Sequence, residues 1–210
     1  GILKEVHPDT ETFQPDFEDM EQKITEKTKA VIINNPVNPT GVIYSEETIQ
    51  KMASILEKKQ KEYGHEIFMV SDEPYRELVY DGNQVPFLTK YYNNTFVTYS
   101  FSKSLSIPGE RIGYIAVCPQ MVDCDQACSG LSVANRMLGF VNAPSLMQKA
   151  LVKAMDSTTD VAYYDRNRKL LYDKLTELGF ECIKPQGAFY LFIKSPEAEE
   201  KKFVEEAKKY

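Results

Sequence analysis

The chain of 210 residues is long enough for one large domain or for one and a half domains of ordinary size. Its composition is globular, with 42% hydrophobic and 27% charged residues. The net charge is −6, and the lysines and arginines are scattered among acidic residues, which argues against a nucleic-acid-binding protein. The longest apolar runs have strand length and no signal peptide is recognisable, so we predict a cytoplasmic protein without a membrane span.

The cysteines indicate no disulfide framework and no metal site. Neither histidine lies near them in the sequence to complete a metal site, and we interpret them as reduced thiols of a cytosolic protein. They are Cys118, Cys124, Cys128 and Cys182.

The first third of the chain alternates extended and helical patterns. Residues 1–6 predict a short strand, and the apolar spacing over 17–24 predicts a helix. Residues 30–34 form a continuous apolar run, which is typical of a strand buried on both faces of a parallel sheet. A second helix is predicted between an N-cap at Ser45 and a stop at Gly64.

Three further strands are predicted over 66–72, 95–100 and 112–118. Their alternation with helices indicates an α/β fold with a mainly parallel sheet.

The remaining part of the chain is predicted to be mostly helical. Helical patterns occupy 119–140 and 144–156, and a long helix is predicted over 160–178. The segments 180–184 and 188–193 then alternate like strands of a half-exposed sheet. We therefore expect a domain boundary near residue 170.

Polar side chains follow three of the predicted strands, at the edge where open parallel sheets bind their ligands. These side chains are Asn38, Asp72, Tyr75, Ser100, Ser102 and Lys103. Arg111 precedes the next strand. The gathering of so many polar groups at strand ends predicts a cofactor site.

Lys103 directly follows an apolar strand, where an amine costs free energy unless it has a partner or a chemical role. A neutral amine can attack an aldehyde and form an imine, so a covalent role is one interpretation. A surface lysine at the mouth of a loop is the other, and Lys103 alone supports both equally.

Arg111 lies eight residues after Lys103, and a Pro-Gly turn between them can bring the two side chains together. A planar guanidinium suits a phosphate dianion, and the hydroxyls of Ser100 and Ser102 can add donors to it. An ion pair with Glu110, and ordinary turn bonding for the serines, are the alternatives.

Asp72 ends a predicted strand, where a buried carboxylate needs a cationic partner. A protonated pyridine nitrogen is such a partner, and a lysine, a phosphate site and an aspartate together form a recognisable cofactor pattern. The alternative for Asp72 alone is a helix cap, since Pro74 suits a first helical position.

Ordered sequence blocks resemble those of the class I/II aminotransferases, enzymes with the aspartate aminotransferase fold that bind pyridoxal 5′-phosphate (PLP). The blocks are Asn-Pro-Val-Asn-Pro-Thr-Gly at 35–41, Ser-Asp-Glu-Pro-Tyr at 71–75, Ser-Phe-Ser-Lys at 100–103 and Arg-Ile-Gly at 111–113. The resemblance extends over essentially the whole chain, because Gln-Gly-Ala-Phe-Tyr at 186–190 is similar to a small-domain strand of the family.

The resemblance implies a role for each residue around the PLP ring. Lys103 would hold the cofactor as a Schiff base and move a proton between the substrate α-carbon and the cofactor. Asp72 would bind the pyridine nitrogen. Tyr75 and Asn38 would donate hydrogen bonds to the ring 3′-oxygen; a core tyrosine and a turn-forming asparagine are the alternatives.

The resemblance also implies the phosphate site and the reaction. Ser100, Ser102 and Arg111 would hold the phosphate. The enzyme would move an amino group from an amino acid to a 2-oxo acid by a ping-pong mechanism.

The family's architecture implies that residues 1–168 belong to the large PLP-binding domain and that 169–210 begin a smaller α+β domain. It also implies a homodimer. The sequence starts with Gly1 and stops after a helical pattern, so we interpret it as a fragment.

In the family, an aromatic residue that stacks on the ring precedes this stretch, and an arginine that binds the substrate carboxylate follows it. No arginine follows Arg168. We therefore expect the isolated 210-residue polypeptide to lack full activity, and equal turnover by the full-length protein and by this polypeptide would contradict that expectation.

Other functions compete with transamination. A PLP-dependent lyase, decarboxylase or cyclopropane-forming synthase would share the lysine, the aspartate and the arginine. A PLP-free binding module, or an inert fragment, belongs to another class of protein. A Rossmann dehydrogenase is set aside because no Gly-x-Gly-x-x-Gly follows any strand.

Overall fold

The computed structural model describes residues 1–209, which form a four-stranded sheet with helices. The strands are β1 (Ala30–Asn34), β2 (Phe68–Asp72), β3 (Thr95–Ser100) and β4 (Gly113–Val117). The helices are α1 (Phe17–Lys23), α2 (Glu46–Tyr63), α3 (Phe101–Ser104), α4 (Cys124–Met137), α5 (Ser145–Ala154), α6 (Val161–Glu177) and α7 (Glu200–Ala207). Two short 3₁₀ helices span Leu88–Lys90 and Pro108–Glu110.

The sheet is mixed and mostly parallel, in the order β1-β2-β3-β4. β1 pairs with β2 and β2 pairs with β3 in parallel, whereas β4 runs antiparallel to β3. The register places Asn34 beside Asp72, and Asp72 beside Thr98. The predicted α/β class is confirmed, and polar residues of neighbouring strands meet at one edge of the sheet.

The predicted caps of α2 are confirmed. The side chain of Ser45 accepts a hydrogen bond from the backbone N–H of Thr48 at 3.1 Å. At the other end, Gly64 adopts a left-handed conformation with a φ of 70°, which glycine tolerates at low cost. None of the helices in residues 1–209 has the length and apolarity that a membrane span requires.

The main core lies between the sheet and helices α1 and α2. Its most deeply buried side chains are Met20, Ile49, Met52, Leu56, Ile67 and Met69. On β1, Ile33 is buried in this core, but its neighbour Ile32 points to the opposite face and is 68% exposed. The prediction that this strand is buried on both faces is therefore wrong for residues 1–209, because the face that carries Ile32 is left exposed.

The strand predicted over residues 1–6 is absent from the described structure. The segment is instead tied to α1: the amine of Lys23 donates to the carbonyl of Glu5, and the N–H of His7 donates to the carboxylate of Asp19 at 2.7 Å. No strand of the sheet pairs with it.

The strands predicted over 180–184 and 188–193 meet in one isolated antiparallel bridge only. The backbone N–H groups of Gln186 and Gly187, which lie between them, both donate to the carbonyl of Gly41 at 2.8 Å. The segment thus bonds to the turn after β1 instead of forming a ladder of its own.

The tight β3–β4 pairing makes a prediction for Gly113. A Cβ atom at this position would collide with the carbonyl oxygen of Tyr99 and lie 3.2 Å from the Cα of Ser100. Because both atoms belong to the backbone, Gly113→Ala is expected to lower the free energy of unfolding by about 1–3 kcal/mol in urea titrations. Gly130→Ala is the matched control: it lies in α4 with open space around it and should raise stability by about 0.5–1 kcal/mol. Equal stability of Gly113→Ala and the unmodified protein would contradict the close pairing.

Candidate active site

Asp72 is the last residue of β2 and lies half-buried at the carboxyl edge of the sheet. Its carboxylate accepts hydrogen bonds from the hydroxyl of Thr98 at 3.0 Å and from the side-chain amide of Asn34 at 3.2 Å. Both donors are neutral, and within residues 1–209 no cationic side chain forms an ion pair with this carboxylate. A half-buried carboxylate with only neutral donors is suited to a cationic ligand.

Tyr75 lies in the turn after β2 and is buried. Its hydroxyl is 2.5 Å from the hydroxyl of Tyr190, and its ring packs edge-on against the rings of Phe189 and Tyr190. Burial is the main cause that raises the pKa of Tyr75 far above its ordinary value of 10.0. Tyr75 is therefore a protonated hydrogen-bond donor throughout the physiological range of pH.

Asn38 reaches the same edge from the turn after β1. Its backbone N–H donates to the side-chain oxygen of Asn34 at 2.7 Å, and its side-chain amide lies 3.5 Å from the hydroxyl of Tyr190. Asn34 therefore connects Asn38 with Asp72. Sequence reasoning did not assign a role to Asn34, although its polar side chain closes an otherwise apolar strand.

Lys103 lies in α3 immediately after β3 and is half-buried. Its amine is 5.1 Å from the ring centre of Phe189 and 5.7 Å from that of Tyr75, within the range of cation–π contacts. In the described residues it has no carboxylate partner. Lys103 is therefore not a surface lysine at a loop mouth; its amine lies in an aromatic corner of the site.

Ser100 and Ser102 lie on either side of the junction between β3 and α3. The hydroxyl of Ser100 caps α3 by accepting from the N–H of Ser102 at 3.1 Å, and the two hydroxyl oxygens are 2.5 Å apart. The bond from the N–H of Ser102 to the hydroxyl of Ser100 is ordinary turn bonding, which is the alternative interpretation of these two serines. Both hydroxyls nevertheless lie close to Lys103 in the sequence, three residues and one residue before it.

Arg111 is exposed and is not joined to the cluster by hydrogen bonds within residues 1–209. Its guanidinium donates to the carbonyl of Pro108 at 2.8 Å, and its φ of 50° is left-handed. The register of β3 and β4 pairs Ser100 with Gly113, so Arg111 lies at the same end of these strands. The structure thus brings the side chains of Asp72, Tyr75, Asn38 and Lys103 together. The guanidinium of Arg111 instead bonds within its own turn.

Phe189 and Tyr190 are members of the site that the sequence interpretation did not include. They reach Lys103 and Tyr75 because the preceding Gly187 packs closely: a Cβ atom there would lie 2.7 Å from the Cγ of Pro36. The 186–190 block is the sequence signal for them, although its resemblance to the family implies only a small-domain strand.

The whole of this geometry lies in a stretch that matches a family model, that of "Aminotransferase class I and II", over residues 3–209. The chain belongs to the class I and II aminotransferase family. Among curated relatives, it is 34% identical over 186 residues to a probable aspartate/prephenate aminotransferase of Aquifex aeolicus, covering 86% of this chain and 45% of that protein. It is 30% identical over 202 residues to the aspartate aminotransferase of Pyrococcus abyssi, covering 92% and 49%.

Solved structures agree with this membership of the aminotransferase family. An aminotransferase from Eubacterium rectale is 53% identical, with a TM-score of 0.94, and the match covers 97% of this chain and 51% of that one. The aspartate aminotransferase of Thermotoga maritima is 29% identical with a TM-score of 0.79, covering 96% and 51%. The chain thus spans about half the length of the relatives it matches.

The aminotransferases of this family use PLP as their cofactor. The residues present fit that group: Asp72 carries a charge with only neutral donors around it, as a pyridinium nitrogen requires. The amine of Lys103 has no carboxylate partner in the described chain, and the paired hydroxyls of Ser100 and Ser102 are donors of the type that a phosphate needs.

A buried arginine fixes the segment that carries Phe189 and Tyr190. Arg168, on α6, donates to both carboxylate oxygens of Asp81 at 2.9 and 3.0 Å and to the carbonyl of Pro185 at 2.8 Å. It also pairs with Asp165 at 2.6 Å. One guanidinium therefore joins α6 to the start of the 185–190 segment.

The Arg168–Asp81 pair predicts a pH dependence of stability. The hydrogen bond with Arg168, and then the one with Lys184, lowers the pKa of Asp81 from 3.8 to about 2. A pKa lowered in the folded state stabilises the fold above pH 3.8, and this contribution is lost as the pH falls towards 2. We expect Asp81→Asn to be less stable than the unmodified protein at pH 5–7, with a difference that disappears between about pH 4 and 2.

Urea titrations at several pH values measure this difference. Asp173→Asn, an exposed position of α6, is the control and should show no such convergence at low pH. A stability difference for Asp81→Asn that stays constant down to pH 2 would contradict the pairing.

Proposed function

We propose that the protein containing this chain is a PLP-dependent aminotransferase that moves an amino group from an amino acid to a 2-oxo acid in two half-reactions. The proposal depends on one observation above all: the amine of Lys103 lies against the rings of Tyr75 and Phe189, without a carboxylate partner in residues 1–209, in a chain that belongs to this family. A lysine amine in such a corner is available for covalent chemistry.

When bound, PLP supplies an aldehyde carbon and an electron-accepting ring. Lys103 would hold the cofactor covalently through its amine. The same amine, when it is free, would take the proton from the substrate α-carbon and return it at the aldehyde carbon of the cofactor. The rings of Tyr75 and Phe189 exclude water from one side of this amine.

Asp72 would hold the protonated ring nitrogen. Its two neutral donors, Asn34 and Thr98, orient the carboxylate without neutralising its charge. Tyr75 would donate to the ring 3′-oxygen, and its raised pKa favours this role because the hydroxyl keeps its proton. Asn38 would be the second donor to that oxygen.

The phosphate would be held by the hydroxyls of Ser100 and Ser102 and by the guanidinium of Arg111. The serines already stand together beside Lys103. Arg111 lies at the same strand end, and its side chain would exchange the carbonyl of Pro108 for the phosphate.

We also propose that residues 1–168 belong to a large PLP-binding domain, that 169–210 begin a small domain, and that the whole protein is a cytoplasmic homodimer. Family membership supports the two domains and the homodimer. The proposed boundary falls within the continuous helix Val161–Glu177, so this helix would connect the two domains.

A half-reaction tests the proposed activity. The full-length protein, loaded with PLP, is mixed with aspartate, alanine or an aromatic amino acid in the absence of any 2-oxo acid. We expect the cofactor absorbance to change to that of the pyridoxamine form, with release of one 2-oxo acid per cofactor. Release of carbon dioxide or of ammonia with any of these amino acids, without the pyridoxamine form, would contradict transamination and favour a decarboxylase or a lyase.

A further inference from the structure

The hydroxyl of Tyr190 contacts both residues that are proposed to bind the 3′-oxygen of the cofactor. It lies 2.5 Å from the hydroxyl of Tyr75 and 3.5 Å, a long hydrogen-bond distance, from the side-chain amide of Asn38. Tyr190 lies 115 residues after Tyr75, on the segment that docks against the turn after β1.

The proton inventory of these groups allows a chain of hydrogen bonds that runs from Asn38 through Tyr190 to Tyr75. A tyrosine hydroxyl has one proton to donate and can also accept, whereas the amide nitrogen of Asn38 can only donate. Tyr190 can therefore accept from Asn38 and donate its own proton to Tyr75. In this arrangement Tyr75 accepts from Tyr190, and its own proton is free to donate elsewhere.

We propose that Tyr190 is a positioning residue of the cofactor site, whose hydroxyl donates to Tyr75 and directs the proton of Tyr75 to the ring 3′-oxygen. The inference rests on the proposed function, because it concerns the hydrogen bonds that the PLP ring receives. A hydroxyl that accepts a hydrogen bond becomes a better donor, so Tyr190 also strengthens the bond from Tyr75 to that oxygen.

The position of Tyr190 is fixed by its surroundings. Its ring packs on Tyr75 and on Phe189, with ring centres 5.6 and 4.9 Å apart. Two residues earlier, the backbone N–H of Ala188 donates to the carbonyl of Leu78 at 2.9 Å. The charged groups near Tyr75 are the carboxylate of Asp72 and the amine of Lys103, and neither is hydrogen-bonded to its hydroxyl.

The test compares Tyr190→Phe with Tyr164→Phe in the full-length, PLP-loaded protein. Tyr190→Phe removes the donor and keeps the ring. Tyr164 stacks on Phe189 in the same aromatic cluster but has no hydrogen bond to Tyr75, so its phenylalanine variant is the matched control. The readout is the pH midpoint at which the absorbance of the bound cofactor changes, which requires no turnover.

The expected shift has a definite sign. A negative charge on the 3′-oxygen stabilises the neighbouring cofactor proton, and hydrogen bonds donated to this oxygen weaken that effect. A weaker hydrogen bond from Tyr75 therefore raises the pH midpoint. We expect an upward shift of about 0.5 pH units for Tyr190→Phe and none for Tyr164→Phe. In a Tyr75→Phe background, Tyr190→Phe should cause no additional shift of the pH midpoint, because the hydroxyl of Tyr75 through which Tyr190 acts is absent.

An unchanged midpoint in Tyr190→Phe, or an equal shift in Tyr164→Phe, would overturn the inference. Borohydride reduction of the same samples separates this outcome from a failure of the proposed function. If the cofactor is trapped on Lys103 in all variants while the midpoint stays unchanged, only the role of Tyr190 is refuted. If nothing is trapped on Lys103 in the unmodified protein, the PLP function fails, and the role of Tyr190 fails with it.

Discussion

Lys103→Ala is expected to lower kcat/KM of the full-length protein by about 10⁴-fold or more, because one amine would be lost as both the covalent anchor and the proton carrier. The variant should also lose the absorbance of covalently held PLP. Aminotransferase assays with saturating PLP, together with absorbance spectra, measure both effects.

Two further variants separate the covalent role of the Lys103 amine from the effect of a positive charge at this position. Lys103→Arg keeps the positive charge beside Tyr75 and Phe189 but cannot hold the aldehyde, so it should be as inactive as Lys103→Ala. Lys51→Ala, at an exposed position of α2, should retain full activity. Substantial turnover by Lys103→Arg would mean that the amine acts only through its charge.

Asp72→Asn is expected to lower kcat/KM by about 10²–10³-fold, as the loss of one buried electrostatic contact to a reacting system typically does. The asparagine preserves the shape and keeps one of the two oxygens that accept from Asn34 and Thr98, but it removes the negative charge. The ring nitrogen then loses the group that keeps it protonated, and the ring becomes a weaker electron acceptor.

The Asp72→Asn variant should still hold PLP on Lys103, so its defect should lie in the half-reaction rate and not in cofactor attachment. Asp173→Asn serves as the control for the loss of one carboxylate at an exposed site. A half-reaction of Asp72→Asn at the rate of the unmodified protein would refute the role of Asp72.

Much of the site could be predicted because its chemistry is local in sequence. An apolar strand followed by a polar residue predicts both the strand and the position of that residue at its carboxyl end. This applied to β2 with Asp72 and to β3 with Lys103, and the structure places both residues at the same edge.

The rest depends on contacts between distant parts of the chain. Nothing near Tyr190 in the sequence indicates that its hydroxyl meets Tyr75, because the docking depends on the close packing of Gly187 against Pro36. The alternating pattern of 180–193 predicted strands, yet its backbone donors bond to Gly41.

Local sequence patterns also do not predict the direction of the Arg111 side chain or which face of β1 is buried. A Pro-Gly turn predicts that the chain returns, but it does not specify whether the guanidinium meets the serines or the carbonyl of Pro108. The apolar run of β1 predicts burial, whereas within residues 1–209 Ile33 is buried and Ile32, on the opposite face, is exposed.

Borohydride reduction of the PLP-loaded, full-length protein, followed by peptide mapping, tests the central claim most directly. We predict that the reduced cofactor is found on the peptide that contains Lys103 and on no other lysine. Modification of another lysine in its place, or recovery of all the cofactor in free form, would contradict the claim that the corner formed by Tyr75, Phe189 and Lys103 is the catalytic centre.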